Sequence, residues 1–454
     1  MAGAAVTADA LYASVAELPV VSPHGHIEAE LFLDGARLDP PGRLFVTGDH
    51  YVLRLLYSRG VPLERLGVRP LDEGFYETDD RAVWRLLAEH VHLFAGTPSG
   101  LWLRETLANV FGVEERLTAA SADTVYDAVE EQLASPGFAP RVLLGRFGVE
   151  VLATTDPASS LLVAHRTLRD DGIRVIPTFR PDAVVALDAP GWRRALAELA
   201  AAANREIGDY DGFLAALAAR RAAFRELGAT ATDHAATSAD TTPLSDAEAS
   251  LLFADALAGN VREPAARRFE AHMLHVFAGM SVEDGLVMQL HVGSLRNHNG
   301  PLAARFGPDI GGDIPVATDW TRGLRPLLES FGNEPRFGLV VFTLDESTYS
   351  RELAPLAGHY PALSLGCPWW FHDSPEGIRR FLDRVVETAG VYNLAGFVDD
   401  ARALTAIPAR HALWRRQTCA WLAQRVADGV LDDEEAHVLA RELAVGRVRE
   451  AYRV

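Results

Sequence analysis

Two histidines separated by a single residue follow a short apolar segment near the start of the chain. The apolar segment 18–21 leads into His24-Gly25-His26. Side chains at positions i and i+2 of a β-strand point to the same face, so both imidazoles could bind one metal ion. Two surface histidines in a loop are the alternative for this motif taken alone. A metal site therefore needs further ligands from elsewhere in the chain.

Asp400 and His291 are the candidates for such ligands, because each stands at the end of a mostly apolar segment. Two imidazoles and one carboxylate suit Zn²⁺ or a similar divalent ion with an open coordination position. The chain contains no lysine, so a carboxylated lysine cannot bridge two metals. We expect one divalent ion, with Zn²⁺ as first choice, on His24, His26 and Asp400. The alternatives are a helix N-cap for Asp400 and a backbone-bonded core histidine for His291.

Two arginines and two tryptophans could bind a substrate beside the metal. Arg180 and Arg402 carry guanidiniums, which bind carboxylates through paired hydrogen bonds. Trp369 and Trp370 offer flat rings of the kind that line sugar sites. Solvated surface positions for the arginines and core packing for the tryptophans are the alternatives.

His50 and Tyr51 follow Gly48-Asp49, whose turn chemistry could fold the pair over the same site. Capping of a helix that begins here by Asp49 is an equally good interpretation of the segment.

The composition narrows the class of protein. The 454 residues are 48% hydrophobic, which allows an ample core, and the formal charge is −19. So acidic a surface repels nucleic acid and anionic membranes, and we expect neither as a partner. The two cysteines do not indicate a disulfide framework. We expect no signal peptide and no transmembrane helix, hence a cytoplasmic protein.

The elements that would position these residues alternate between strand and helix patterns. Such alternation predicts parallel βαβ units, and eight strands predict an α/β fold closed as a (β/α)8 barrel. The predicted strands lie near 18–24, 149–155, 173–180, 228–233, 285–292, 337–343, 362–366 and 395–399. Residues that perform catalysis gather at the carboxyl ends of the strands in this fold. Strands one and eight are neighbours there, which brings His24, His26 and Asp400 together.

The spacing of the strands also predicts the domain organisation. Residues 1–29 begin the barrel with strand one. Residues 30–140 form a mostly helical insertion over its mouth. Residues 141–454 supply the remaining strands and the C-terminal helices.

The order of the motifs along the chain resembles the uronate isomerase family, also called glucuronate isomerase, of the amidohydrolase superfamily. The matching motifs are His24-Gly25-His26, Gly48-Asp49-His50-Tyr51, Thr154-Thr155-Asp156-Pro157, Phe179-Arg180-Pro181-Asp182, Thr232-Asp233-His234, Met288-Gln289-Leu290-His291, Leu295-Arg296-Asn297, Gly307-Pro308-Asp309, Trp369-Trp370-Phe371, Asp400-Ala401-Arg402 and Arg410-His411. Gly25 stands where the family usually has Cys, and Ala401 stands where the family often has Ser. These departures leave the predicted metal ligands in place.

The resemblance implies a distorted (β/α)8 TIM-type barrel of the metal-dependent hydrolase type with a helical insertion after strand one. It also implies interconversion of D-glucuronate with D-fructuronate and of D-galacturonate with D-tagaturonate, an aldose–ketose isomerisation. Asp400 would then move the carbon-bound proton, and Tyr51 and His50 the oxygen protons. Arg180 or Arg402 would hold the substrate's carboxylate.

His291, Trp369 and Trp370 complete the expected substrate site. We also expect the protein to form a homo-oligomer. A mononuclear metal-dependent hydrolase is the alternative enzyme, although the sixth predicted strand ends without the histidine that many such barrels place there. A non-catalytic barrel that binds sugar acids is the third interpretation.

Overall fold

Short parallel strands surround the centre of the computed structural model, which describes residues 6–454. The first five residues of the predicted segment 1–29 lie outside this part. The parallel strands are β1 (Val20–Ser22), β2 (Val149–Ala153), β3 (Asp156–Pro157), β4 (Val175–Ile176), β5 (Phe179–Arg180), β6 (Ala231–Ala235), β7 (Val287–Val292), β10 (Leu339–Thr343) and β11 (Leu363–Leu365). Two further strands, β8 (Ser294–Leu295) and β9 (Ile314–Pro315), form a separate antiparallel pair.

The pairing of the strands follows chain order around a ring. β1, β2 and β4 pair in parallel, and β3, β5, β6, β7, β10 and β11 form a second parallel set in that order. Backbone hydrogen bonds such as that from Asp156 N–H to Thr178 O (3.0 Å) join the stretch from β2 to β3 to the stretch from β4 to β5. The N–H of His26 donates to Ala401 O at 2.9 Å, which closes the ring. The predicted distorted (β/α)8 barrel is confirmed.

The predicted eighth strand at 395–399 is reduced to one parallel bridge between Leu365 and Leu394. Gly396 interrupts the extended backbone with φ of +83°. A Cβ at this position would lie 2.4 Å from a methyl group of Val448, so only glycine fits so close to the C-terminal helix. The strand therefore bends where the chain turns towards Asp400.

Helices surround the barrel and fill the long connection between β1 and β2. They are α1 (Ala8–Val15), α2 (His50–Ser58), α3 (Asp80–His90), α4 (Pro98–Asn109), α5 (Ala122–Ala134), α6 (Pro140–Arg146), α7 (Val163–Asp170), α8 (Asp182–Val185), α9 (Trp192–Ala203), α10 (Tyr210–Glu226), α11 (Asp246–Ala258), α12 (Glu263–Asp284), α13 (Gly300–Phe306), α14 (Trp320–Gly323), α15 (Arg325–Phe331), α16 (Ala354–Ala357), α17 (Pro375–Ala389), α18 (Ile407–Ala427), α19 (Asp433–Arg441) and α20 (Arg447–Tyr452). The division of the chain at residues 30 and 140 stays a prediction.

Two clusters of buried apolar side chains hold these layers together. One joins the barrel to its outer helices and includes Phe179, Phe253 and Phe342. The other lies among the helices between β1 and β2 and includes Trp84 and Phe111. Full burial of such a side chain contributes roughly 1.5–3 kcal/mol. Among residues 6–454, no helix combines the length and apolar character that crossing a membrane requires.

Candidate active site

His24 and His26 leave the carboxyl end of β1 with their side chains directed towards Asp400. The Nε2 atoms of His24 and His26 lie 3.6 Å and 3.2 Å from Oδ1 of Asp400. His24 is buried, and this burial lowers its pKa to about 4. Its imidazole is therefore neutral near pH 7, as a metal ligand must be.

Asp400 occupies a strained backbone position immediately after the irregular eighth strand, with φ of +46°. Its Oδ2 accepts a hydrogen bond from the indole N–H of Trp369 at 3.2 Å. Its Oδ1 is buried and has no hydrogen-bond partner among residues 6–454. Although burial opposes ionisation, the imidazoles of His26 and His24 hold the pKa of Asp400 well below its usual range. The strain and the unpaired oxygen indicate a functional position.

These three side chains can hold a divalent metal ion. One ligand atom from each of His24, His26 and Asp400 lies within 4.8 Å of the other two. The unpaired buried Oδ1 of Asp400 faces both imidazoles, and two nitrogens with one carboxylate oxygen form a donor set typical of a divalent ion with an open position. The residues present therefore fit the predicted cofactor.

A second polar cluster lies beside the first and is organised by Asp233, near the end of β6. Asp233 Oδ1 accepts a hydrogen bond from Nδ1 of His291 at 2.7 Å, and its Oδ2 lies 3.2 Å from Nη1 of Arg180. Burial opposes its ionisation, but Arg180, His291 and His24 hold the pKa of Asp233 well below its usual range. Because Nδ1 of His291 donates to this carboxylate, Nε2 of the same ring is left as an acceptor.

Arg180 is engaged by two carboxylates at once. Its Nε donates to Asp182 at 2.7 Å, in addition to the ion pair with Asp233. Despite burial, the charges of Asp233 and Asp182 raise the pKa of Arg180. His234, which follows Asp233 in β6, lies on the opposite face, where it contacts Thr232 at 2.9 Å.

The three candidate metal ligands, together with Arg180, Asp233 and His291, line a cavity of about 370 Å³ at the carboxyl ends of the strands. Its wall also contains polar side chains from the segment 293–318 that sequence reasoning did not assign to the site. Arg296 pairs with Asp313 at 2.7 Å, and Asp309 pairs with Arg402 at 3.3 Å. The cavity is lined by His24, His26, His50, Arg180, Asp233, Ala235, His291, Arg296, Asn297, Pro308, Asp309, Asp313, Trp369, Trp370, Asp400 and Arg402.

His50 and Tyr51 form the first turn of α2, and the carboxylate of Asp49 accepts hydrogen bonds from the N–H groups of Tyr51 and Val52. The helix cap and the site are thus both present. His50 Nε2 accepts a hydrogen bond from the indole N–H of Trp370. Burial, followed by the charge of Arg402, lowers the pKa of His50 to about 3. The ring is neutral, and its Nδ1 carries the proton.

Tyr51 borders a smaller cavity of about 170 Å³ behind His50. The two cavities share His50, Trp370, Asp400 and Arg402. The structure thus brings eight of the predicted site residues to the larger cavity together with His50, and Tyr51 to the adjoining one.

Trp369 and Trp370 are 8% and 6% exposed, so both rings are part of the core as well as the cavity wall. Trp370 and Phe371 have φ of +30° and +58°, a backbone conformation that non-glycine residues seldom adopt. This strained turn directs one indole N–H to Asp400 and the other to His50. Core packing and site positioning are therefore two consequences of the same turn.

Comparison with known proteins gives consistent similarities over nearly the whole chain. A family model described as glucuronate isomerase matches residues 3–450. A uronate isomerase of Nostoc punctiforme is 54% identical over 443 residues, which cover 97% of this chain and 94% of that protein. The crystal structure of glucuronate isomerase from Caulobacter crescentus superposes with a TM-score of 0.96 at 46% identity, covering 98% of this chain and 93% of that one. A uronate isomerase structure from Thermotoga maritima superposes with a TM-score of 0.92 at 28% identity, covering 99% of this chain and 98% of that one.

Proposed function

The chain belongs to the glucuronate isomerase family, and from this premise we propose how its cavity interconverts an aldose uronate and its ketose. The substrates are D-glucuronate and D-galacturonate, and the products D-fructuronate and D-tagaturonate. The observation that carries the proposal is the unpaired Oδ1 of Asp400, buried between two imidazoles in a cavity with three arginines. Family membership decides against the hydrolase and the non-catalytic barrel.

Asp400 is the group that moves the carbon-bound proton. Its carboxylate takes the proton from C2 and returns it to C1, while Trp369 holds Oδ2 in a fixed orientation. A carboxylate positioned in this way can act as a general base and then as a general acid. A divalent ion, Zn²⁺ being our first choice, would when bound on His24, His26 and Asp400 act as a Lewis acid and orient substrate oxygens.

Arg402 is the group that holds the substrate's carboxylate. Within the described part of the chain its guanidinium has one ion-pair partner, Asp309, whose side chain is 49% exposed. Arg180, by contrast, is already neutralised by Asp182 and Asp233. A guanidinium with a single, loosely held counter-ion attracts an anion more strongly than one between two carboxylates.

Neutral polar groups and aromatic rings orient the sugar. His50 lies in the cavity wall and holds the indole of Trp370 in place through its Nε2. His291 accepts from a sugar hydroxyl through Nε2, because Asp233 holds its Nδ1 proton. The rings of Trp369 and Trp370 pack against the C–H faces of the substrate. Tyr51 exchanges protons with substrate oxygens from the smaller cavity.

The direct test is turnover of a panel of uronates and simple esters by the metal-loaded enzyme. Ketose formation is followed by coupled reduction with NADH. We expect turnover of glucuronate or galacturonate and none of the esters. Ester hydrolysis without ketose formation would contradict the proposal.

We place the reaction in the cytoplasm, supported by Cys367 and Cys419, which are buried as free thiols. The homo-oligomer and the absence of nucleic-acid and membrane partners stay predictions.

A further inference from the structure

A buried hydrogen-bonded chain of three side chains extends from the smaller cavity into the C-terminal helix α18. The phenol of Tyr51 donates to both carboxylate oxygens of Asp373, at 2.9 Å and 3.0 Å. Its oxygen also accepts from the backbone N–H of Phe371 at 3.2 Å. Nη1 of Arg410 donates to Asp373 Oδ2 at 2.9 Å and to Asp399 O at 3.1 Å.

All three side chains are withdrawn from bulk solvent. The side chains of Arg410 and Asp373 are 11% and 12% exposed, and both border the smaller cavity next to Tyr51. Asp400 and Arg402 lie in the wall of the same cavity. The cavity that Tyr51 and Asp373 border therefore adjoins the substrate site through Asp400 and Arg402.

Tyr51 cannot exchange protons with a substrate by itself, because its surroundings oppose a phenolate. Burial, with the neighbouring charge of Asp373, raises the pKa of Tyr51 well above its ordinary value. A tyrosine that takes a proton under these conditions must release its own at the same time. Asp373 accepts that hydrogen bond already, and burial raises the pKa of Asp373, which makes it a stronger base than a surface aspartate.

We propose that Asp373 is the positioning residue and proton partner of Tyr51, and that Tyr51 exchanges oxygen protons with the uronate only as Asp373 gives or takes the phenolic proton. This inference rests on the proposed function. Arg410 keeps the carboxylate in place and ionised between turnovers. Asp373 itself does not touch the substrate.

The proton transfers balance over one turnover. When O2 of the substrate becomes a carbonyl, its O–H bond breaks and an O–H bond forms on Tyr51. In the same event the original Tyr51 O–H bond breaks and one forms on Asp373. The reverse pair of transfers then delivers a proton to O1. The hydrogen bound to carbon travels separately through Asp400, and no redox partner is needed.

A structural role for Asp373 is the rival explanation, since Tyr51 and Asp373 also hold the strained Trp370–Phe371 turn. The two roles predict different kinetics. A proton partner acts only through Tyr51, so its loss lowers kcat and leaves KM nearly unchanged. A structural support would also change KM, because the turn carries Trp370 and thereby orients His50.

The test is a double-mutant cycle on the metal-loaded enzyme with Asp373→Asn, Tyr51→Phe and both together. General acid–base groups contribute about 10²–10⁴-fold. We expect each single variant to lower kcat roughly 10²-fold, with KM for the uronate within about threefold of wild type. The double variant should lose little more than either single variant. Asp373→Glu should recover roughly tenfold over Asp373→Asn, because it retains a carboxylate.

The matched control is Asp383→Asn in α17, whose carboxylate accepts from the indole of Trp421 at 2.9 Å and lies outside both cavities. It should have wild-type kcat. Multiplicative losses in the double variant, no recovery with glutamate, or a Tyr51→Phe enzyme with wild-type kcat would each overturn the inference.

A second measurement applies if Asp373→Asn does not fold. The kcat of the wild-type enzyme is recorded in mixtures of H₂O and D₂O. Two protons in flight give a curved dependence on the deuterium fraction, and a straight line would overturn the inference. Absence of uronate turnover by the wild-type enzyme would instead refute the proposed function itself.

Discussion

Replacement of Arg402 by methionine should weaken uronate binding without damaging the fold. The side chain of Arg402 is 35% exposed and its only ion-pair partner in the described residues is Asp309, at 3.3 Å. Loss of one partner of a buried charge-assisted pair costs about 2–5 kcal/mol. Partial exposure to solvent reduces this to about 1.5–3 kcal/mol. Since about 1.4 kcal/mol is a factor of ten, KM should rise roughly 10–150-fold.

The same substitution at Arg180 should behave differently. Arg180→Met leaves the carboxylates of Asp182 and Asp233 without their shared cation, and Asp233 is 1% exposed. Breaking a buried ion pair in this way costs about 3–5 kcal/mol of folding stability. We therefore expect a lower Tm for Arg180→Met, accompanied by loss of activity.

The assay is steady-state kinetics on glucuronate with a thermal unfolding curve for each variant. Arg43→Met is the matched control, because the side chain of Arg43 is 65% exposed beside the smaller cavity. Its KM should stay within about twofold of wild type. An unchanged KM in Arg402→Met, combined with a raised KM and an unchanged Tm in Arg180→Met, would refute the proposal that Arg402 holds the substrate's carboxylate.

Three further predictions concern the metal, the buried His234 and Trp369. His24→Ala should lose the roughly one equivalent of divalent ion measured by elemental analysis and keep its circular dichroism spectrum, since the strand end carries little of the core; two tightly held equivalents in the wild type would contradict a mononuclear site. Burial lowers the pKa of His234 to about 3, so its contribution to stability is complete above its ordinary pKa near 6.5 and decreases as the pH falls. In urea unfolding of the metal-free protein, His234 should lower the free energy of unfolding near pH 5 by about 2 kcal/mol relative to its value above pH 6.5. The His234→Asn variant should lack this part of the pH dependence. Trp369→Phe removes the hydrogen bond to Asp400 Oδ2 and should lower kcat about tenfold with metal content unchanged; a wild-type kcat would exclude an orienting role for the indole.

The metal ligands are the residues that sequence reasoning brings together from the order of strands in a barrel. His24 and His26 follow a strand whose two-residue period places them on one face. Asp400 follows from the closure of a barrel, because strands one and eight must then be neighbours. The same period shows that Asp233 and His234 lie on opposite faces but not which of them faces the cavity.

The positions of the remaining site residues depend on contacts that leave no periodic pattern in the sequence. Arg296, Asp309 and Asp313 lie in the irregular segment around β8 and β9. Asp373 and Tyr51 are 322 positions apart, and their contact depends on the strained turn at Trp370–Phe371. The eighth strand was predicted as regular, whereas Gly396 bends it under the constraint of Val448. Irregular backbone of this kind is set by tertiary packing rather than by local pattern.

The most direct test of the isomerase mechanism is conversion of D-glucuronate by the metal-loaded wild-type enzyme in D₂O, followed by NMR. We expect formation of D-fructuronate with deuterium at C1 in part of the molecules, because the proton carried by Asp400 exchanges partly with solvent during its transfer. Ketose without deuterium at C1 across the pH range of activity would contradict a carboxylate proton shuttle. Absence of ketose from both glucuronate and galacturonate would contradict the isomerase assignment.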